Sequence, residues 1–300
     1  MVKRELVPPK MDIVFESLFK PGNEEITKAL ISNIIGQKIQ KIDLEKNKKL
    51  LREYTKDKLE ILDLIATLDD GVICHIEVQL SNNKDIEERL LFYNSKIYSQ
   101  QMLIGEKYKD LKKTISIAIL DYNLEKLRDL EKAHTKWYII EDDERKIKLT
   151  DKLEIHIIEL PKIRRRKKQE EKDSLIEWMM FLDNPNDGEV LEIMKTNKEI
   201  EEAMKKLEEI QSDEEMMRII DLRKKAIWDE NQAKYTAREE GLEEGREEGK
   251  KQGIKEGRKE GRKEAKIEVA KKMIEEKMDI ELIEKVTGLS KEKIEELESK

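Results

Sequence analysis

The chain has 300 residues, of which 43% are charged and only 5% are aromatic, and its formal net charge is −7 at pH 7. This length favours one compact domain with appendages, and the composition indicates that much of the chain is solvated helix. The negative charge excludes a general electrostatic attraction to nucleic acid. Any DNA-binding surface must therefore be local.

The single cysteine, Cys74, excludes an internal disulfide and favours a reducing cytosol. The opening residues MVKRELVPPK lack the apolar core of a signal peptide. No run of about 18 apolar residues is present, so no membrane span is predicted. We therefore expect a cytoplasmic protein.

Two helices are predicted near the start of the chain. Apolar residues at helical spacing follow Asp12, Pro21 and Gly22 interrupt the pattern, and a second helical pattern runs to Gly36. Asp12 is suited to cap the first helix. The alternative, in which Asp12 adds a carboxylate to an acidic site, stays open.

The stretch LEILDLIATLDDGVICHIEVQL, residues 59–80, predicts two strands joined by a tight turn. Gly71 suits the left-handed position of a three-residue loop closed by Leu68 opposite Val72. Counting outward from that closure places Asp63 opposite Glu77.

Strand alternation puts Gln79 on the same face as Glu77 and Asp63. Opposed cross-strand residues lie about 5 Å apart between Cβ atoms. Two carboxylates at this separation repel unless a cation lies between them or one is protonated. Oxygen ligands of this kind suit Mg²⁺ or Ca²⁺.

A helix is predicted from residues 82–85 to about Met102, and Arg89 lies near its start. One expected role for it is a surface ion pair with Glu87 or Glu88.

Further strands are predicted at Thr114–Leu120, Trp137–Ile140 and Leu153–Leu160, the first of them apolar throughout. Together with the helices they predict an α/β or α+β fold with a mixed sheet. The three histidines are scattered without metal-ligand spacing, and we predict structural roles for them: His75, His134 and His156.

Composition changes after Pro161, where a basic run begins. Its members are either phosphate contacts or a solvated linker, and the candidates for DNA binding are Arg164, Arg165, Arg166 and Lys167. A helix over Leu175–Leu182 is predicted to pack on the core. Charged helix follows to about Ala237.

Glycine recurs every four residues from Gly241 to Gly261, which predicts a weak exposed helix or a flexible spacer. The tail predicts a helix beginning near Asp279, a turn at Gly288 and a last helix, an arrangement like a helix-turn-helix. The last helix is rich in Glu, so self-association and DNA reading both stay open. The predicted domains are 1–165, 166–235, 236–265 and 266–300.

Asp63 and the Glu77-Val78-Gln79 triplet resemble the D…(D/E)-x-K signature of PD-(D/E)XK nucleases, with Gln79 where most of them carry Lys. Over roughly residues 8–182 the chain resembles the recombination-promoting nuclease (Rpn)/transposase family of that superfamily. The matching stretches are DIVFESLF, LDLIATLDDGVICHIEVQ, ERLLFYNSKIYSQQM, TISIAILDYNL, LEIHIIELPK and LIEWMMFL.

The resemblance implies a restriction-endonuclease-like core and a divalent-metal-dependent DNA endonuclease linked to recombination or mobile elements. Asp63, Glu77 and the Val78 carbonyl would bind Mg²⁺, Ca²⁺ or Mn²⁺, and Gln79 and Arg89 would complete the catalytic set. In the resembled family an Arg and Tyr pair follows the E-x-Q strand, which implies that Arg89 contacts a phosphate or stabilises transition-state charge, as the alternative to a surface ion pair. The expected partners are DNA and a second copy of the chain bound through the C-terminal helices. The alternative is a non-catalytic interaction or DNA-binding protein that retains a degenerate nuclease fold.

Overall fold

The computed structural model describes residues 5–44, 64–82, 84–102, 105, 107–141, 145–166 and 173–299. The chain divides into two compact units, Met1–Arg223 and Lys224–Lys300. The first unit contains the sheet and most of the hydrophobic core.

The described strands form one six-stranded sheet of order β1-β2-β3-β4-β6-β5. They are β1 (Ile42–Asp43), β2 (Leu64–Leu68), β3 (Ile73–Gln79), β4 (Thr114–Leu120), β5 (His134–Trp137) and β6 (Leu153–Glu159). The central strands β3, β4 and β6 run parallel, whereas β1, β2 and β5 pair antiparallel with their neighbours.

Helices cover this sheet and continue to Glu298. They are α1 (Asp12–Leu18), α2 (Glu24–Ile35), α3 (Ile86–Ser99), α4 (Leu160–Arg165), α5 (Ser174–Asp183), α6 (Gly188–Met194), α7 (Lys198–Ser212), α8 (Glu214–Glu275), α9 (Ile280–Thr287) and α10 (Lys291–Glu298). The predicted α/β fold with a mixed sheet, followed by charged helices, is confirmed.

The hairpin between β2 and β3 has the predicted loop. The Leu68 amide donates to the Val72 carbonyl at 2.7 Å, and Gly71 has a φ of 80°, in the left-handed region that glycine adopts readily. The described register ends with Leu64 opposite Ile76. This is the register that the prediction for Asp63 assumed, but Asp63 itself lies outside the described residues.

The two faces of the sheet are covered by different elements. On one face Cys74 and Ile76 of β3 join a core that includes Phe15 and Trp178. On the other face Leu90 of α3 packs against β4. Every residue of β4 is buried, which confirms the prediction of a strand covered on both faces.

Helix α5 is the predicted covering helix. Its Trp178 and Phe181 are fully buried with their rings 5.9 Å apart edge to face. The helix begins one residue earlier than predicted because the Asp173 side chain caps it, accepting from the Leu175 amide at 2.9 Å.

The prediction of a strand at Trp137–Ile140 was wrong in its bounds. Strand β5 begins at His134, and the described residues between Trp137 and β6 form an isolated bridge, Ile140 with Lys148, rather than a strand. Because His134 is polar, the sequence pattern did not indicate that the strand begins there. In the structure His134 is buried opposite Ile158 of β6.

The second unit has a small core of its own, formed around Ala270, Ile283 and Ile294. Helix α9 is capped by Asp279, which accepts from the Glu281 amide, and ends at Gly288 with a φ of 64°. The predicted helix–turn–helix arrangement of the tail is thus present. Among the described residues, no helix is long and apolar enough to cross a membrane.

Gly288→Ala should lower the free energy of unfolding of the second unit by roughly 1–2 kcal/mol, because a Cβ opposes the left-handed conformation. Gly288→Asn should lower the free energy of unfolding by less, since Asn tolerates this conformation at a helix end. Amide hydrogen exchange over α9 and α10 measures both effects. Equal protection in the Ala variant and the parent would contradict this account of the turn.

Candidate functional site

Polar side chains gather where the parallel strands end. Gln79, Asp121 and Glu159 lie at the carboxyl ends of β3, β4 and β6, and the Asp121 amide donates to the Gln79 carbonyl at 2.9 Å. In open α/β sheets, ligands bind at this edge. The carboxyl end of β3 is therefore the candidate site in this fold.

Glu77 is the central group at this edge. It is 1% exposed, and its Oε1 accepts hydrogen bonds from Gln79 Nε2 at 2.9 Å and from the guanidinium of Arg89. An ionised carboxylate at this depth requires a charged or hydrogen-bonding partner. The predicted shared face of Glu77 and Gln79 is confirmed.

Arg89 reaches Glu77 from the first turn of α3. The structure pairs Arg89 with Glu77, and Glu87 contacts Lys126 Nζ at 2.9 Å. The Arg89 side chain is 17% exposed. It can therefore neutralise Glu77 while still facing solvent, and its role at a phosphate stays a prediction.

Tyr122 belongs to the same neighbourhood and was not predicted from the sequence. Burial first, and then the negative charges of Glu87 and Glu77, raise the pKa of Tyr122 to about 12. The phenol is thus protonated at neutral pH and can donate a hydrogen bond. Its position two residues beyond a buried parallel strand is the signal that could have identified it.

The donor atoms near Glu77 suit a hard cation. Carboxylate, amide and backbone carbonyl oxygens, here from Glu77, Gln79 and Val78, are ligands that Mg²⁺ and Ca²⁺ prefer. Among the described residues, no group of three or more His, Cys, Asp or Glu side chains could hold a metal ion. Asp63, the second acidic ligand predicted from the sequence, lies outside them.

His75 shares this face of β3 but is unsuited to binding a metal there. It is fully buried, its ring lies edge-on to Tyr93, and its nitrogens have no hydrogen-bond partner in the part of the chain that the structure describes. Burial lowers the pKa of His75 to about 3. The imidazole is therefore neutral and structural, as predicted.

His134 and His156, predicted to be scattered, are in contact. His134 Nε2 lies 2.9 Å from His156 Nδ1, and His156 Nε2 lies 2.6 Å from Glu154, which also contacts Lys113. Burial, followed by the charge of His156, lowers the pKa of His134 to about 4. Alternation along β6 places this network on the face opposite Glu77.

The basic run after Pro161 is largely paired with acidic side chains. Arg164 Nε donates to Asp183 at 2.6 Å and its Nη2 contacts Asp121, while Lys10 Nζ lies 2.8 Å from both carboxylates. Burial opposes ionisation, but the hydrogen bonds from Arg164 and Lys10 hold the pKa of Asp183 below its usual range.

The neighbouring basic residues also have partners. Arg165 donates to Asn123 at 3.1 Å and Arg166 to Glu189 at 2.8 Å, whereas Lys167 lies outside the described residues. A role for these residues in DNA binding stays a prediction. Phosphate would have to compete with the carboxylates that hold two of the arginines, Arg164 and Arg166.

Asp12 does not cap α1, so that prediction was wrong. The capping position is Met11, and Asp12 is the first helical residue. Its Oδ1 accepts from the Ile13 amide at 2.8 Å and its Oδ2 accepts from Arg223 Nε at 2.6 Å. The Asp12 carboxylate therefore forms an ion pair between the start of α1 and the first part of α8.

His75→Leu should raise the free energy of unfolding at pH 7 by about 1–3 kcal/mol, because it removes a buried group without hydrogen bonds. Because burial lowers the pKa of His75 from 6.5 to about 3, the unfolded chain binds a proton in this range that the folded chain does not, and stability falls as the pH drops from 6.5 toward 3. The variant should thus lose less stability on acidification. Urea unfolding between pH 7 and pH 4 measures both effects.

His134→Leu is the matched control. It breaks a buried hydrogen bond to His156 and should destabilise the protein at pH 7. Destabilisation of similar size by both substitutions would show that His75 has a partner and would contradict the account.

Comparison with known families agrees with this geometry. Residues 9–237 match the model of the PD-(D/E)XK nuclease family transposase, and residues 263–299 match the C-terminal HTH domain of the Rpn/YhgA-like nuclease family. Searches of curated proteins and of solved structures gave no significant match. The first family match spans well over half of the chain, so the protein belongs to the PD-(D/E)XK nuclease family transposases, in the Rpn group.

Proposed function

We propose that the chain is a divalent-metal-dependent endonuclease that hydrolyses phosphodiester bonds of DNA during recombination or the movement of mobile elements. The observation that carries the proposal is the buried Glu77, bonded to Gln79 and Arg89 at the carboxyl edge of the parallel strands. A cytosolic location, predicted from the sequence, is part of the same proposal.

Asp63, Glu77 and the Val78 carbonyl would hold Mg²⁺, with Ca²⁺ or Mn²⁺ as alternatives. Such an ion, when bound, polarises the phosphodiester and lowers the pKa of a bound water. Glu77 is fixed for this task by the β-ladder on both sides of β3. Its deep burial keeps bulk water from competing for the carboxylate.

Gln79 would orient the attacking water or a phosphate oxygen through its amide, which both donates and accepts hydrogen bonds. It carries no charge, so the positive group near the reacting phosphate must come from elsewhere. Arg89 is placed to supply it, since its guanidinium already contacts Glu77. The protonated Tyr122 phenol would add a neutral donor at the same edge.

A second candidate is a DNA-binding protein without nuclease activity. Two observations favour it: Gln79 replaces the usual Lys, and the tail matches an HTH domain. However, α10 carries four glutamates against two lysines, a poor composition for contacting a phosphate backbone. We therefore rank the nuclease first.

Glu77→Gln should reduce Mg²⁺-dependent nicking of a supercoiled plasmid on the order of 100-fold or more, because the metal loses a charged ligand. Asp63→Asn should do the same. Glu202→Gln, an exposed residue of α7, is the matched control and should leave nicking unchanged. Undiminished nicking by purified Glu77→Gln protein would exclude this mechanism.

Arg89→Met should destabilise the metal-free protein by roughly 3–5 kcal/mol, because it leaves Glu77 buried without its cation. Millimolar Mg²⁺ should restore part of this stability, since a bound cation can replace the guanidinium charge. The measurement is the shift in melting temperature on adding Mg²⁺. The double variant Arg89→Met/Glu77→Gln should show no such shift, and an equal shift there would argue against Glu77 as a ligand.

A further inference from the structure

Phe92 lies on the surface of α3, one turn after the arginine that contacts Glu77. The other three phenylalanines of the chain, Phe15, Phe19 and Phe181, are fully buried, whereas Phe92 is 51% exposed. A half-exposed phenyl ring beside a polar site offers apolar area that a ligand can cover, and covering it releases free energy.

The ring of Phe92 is supported by other rings that extend into the core. Its centroid lies 5.6 Å from that of Tyr93, which is buried, and the two rings meet at 71°. Tyr93 in turn lies edge-on to the buried His75, with the ring centroids 6.3 Å apart. Edge-to-face contacts of this kind stabilise aromatic pairs. Phe92 is thus held by ordered groups, which lowers the entropy lost when a flat ligand covers it.

Two basic side chains lie on the same side of α3 as Phe92. At about 100° per residue, Arg89, Phe92 and Lys96 fall within an arc of about 60°. Lys96 Nζ lies 5.8 Å from the centroid of the Phe92 ring, within range of a cation–π contact. At about 1.5 Å per residue, the two basic residues are roughly 10 Å apart along the helix axis, with the ring between them. This side of α3 therefore presents a cation, an aromatic ring and a second cation in sequence, beginning at Glu77.

This order of groups is complementary to a single strand of nucleic acid. Proteins bind such strands by stacking the bases on aromatic rings while basic side chains follow the phosphates. The bases of a duplex are already stacked and would have to be extruded to reach Phe92. An apolar protein surface could cover the ring but would not be complementary to the two cations. The charges and the ring together therefore favour an unpaired nucleotide.

Glu88 borders this side of α3 and gives a test of the charge of the ligand. It is exposed and precedes Phe92 by four residues, so the two side chains are neighbours on the helix surface. A phosphate beside Phe92 would be repelled by the Glu88 carboxylate. Removing this negative charge should therefore strengthen the binding of a nucleic acid.

We propose that Phe92 stacks on an unpaired base of DNA next to the scissile phosphate, with Arg89 and Lys96 contacting the phosphates on either side. The flexible stem of Lys96 allows its ammonium to move from the ring to a phosphate. The inference rests on the proposed nuclease function for the position of the scissile bond. It specifies the substrate class as DNA that has at least one unpaired nucleotide at the cut site.

Binding of a single-stranded oligodeoxynucleotide to the metal-free, full-length protein tests the stacking without cleavage. The oligonucleotide carries 2-aminopurine, whose fluorescence falls when the base stacks on an aromatic ring. Phe92→Ala should abolish the fall in fluorescence and raise the Kd about tenfold, the weakening that follows from losing one stacked base. Phe92→Trp should retain both properties. Leu91→Ala is the matched control, because Leu91 is similarly exposed but lies on a different side of α3, and it should leave binding unchanged.

Charge variants test the phosphate contacts in the same assay. Lys96→Met should weaken binding and lower the slope of log Kd against log salt concentration by about 0.7, the contribution of one phosphate contact to a single strand. Glu88→Gln should strengthen binding. With a fully paired duplex of the same sequence, Phe92→Ala and the parent should bind equally.

Three results would overturn the proposal. The first is equal quenching and equal affinity for Phe92→Ala and the parent, and the second is an equal loss in Leu91→Ala. The third is a dimer that Phe92→Ala dissociates while oligonucleotide binding is unchanged, because the ring would then contact a second copy. Plasmid nicking is measured separately: Phe92-dependent quenching without nicking supports the base contact but contradicts the proposed nuclease function.

Discussion

The ion pair between Glu77 and Arg89 is the constraint on which the site depends. A carboxylate buried in a sheet is tolerated only beside a cation, and removing one member of such a pair costs roughly 3–5 kcal/mol. The pair fixes the start of α3 against β3 and so shapes the carboxyl edge of the parallel strands. The chain thus holds a carboxylate oxygen, paired with a guanidinium, at the edge where ligands bind in open α/β sheets.

The ion pair that stabilises the fold would compete with the proposed metal ion for the Glu77 carboxylate. A divalent ion at Glu77 must share the carboxylate with Arg89 or displace it, and a displaced guanidinium would be free to contact a phosphate. Gln79 carries no charge, so in the proposed mechanism the positive charge near the phosphate would come from Arg89. The same substitution leaves Glu77 with a hydrogen bond from an amide, which orients the carboxylate without neutralising it.

The hairpin could be predicted from the sequence because its determinants are local: strand alternation and the left-handed Gly71 fix its register. The contact between His134 and His156 could not, since it requires the non-local pairing of β5 with β6. The partners of Arg164 could not be predicted either, because they are distant in sequence: one lies at the end of β4 and the other in α5. Tyr122 becomes recognisable only when the parallel order of the strands is known.

Anomalous diffraction from crystals soaked in Mn²⁺ would test the central claim, that Glu77 is a metal ligand, most directly. We predict a peak about 2.0–2.6 Å from a carboxylate oxygen of Glu77, with Asp63 as the second acidic ligand and the contact to Arg89 lengthened or lost. The absence of a peak at this position, with the Glu77–Arg89 pair intact at saturating Mn²⁺, would contradict it.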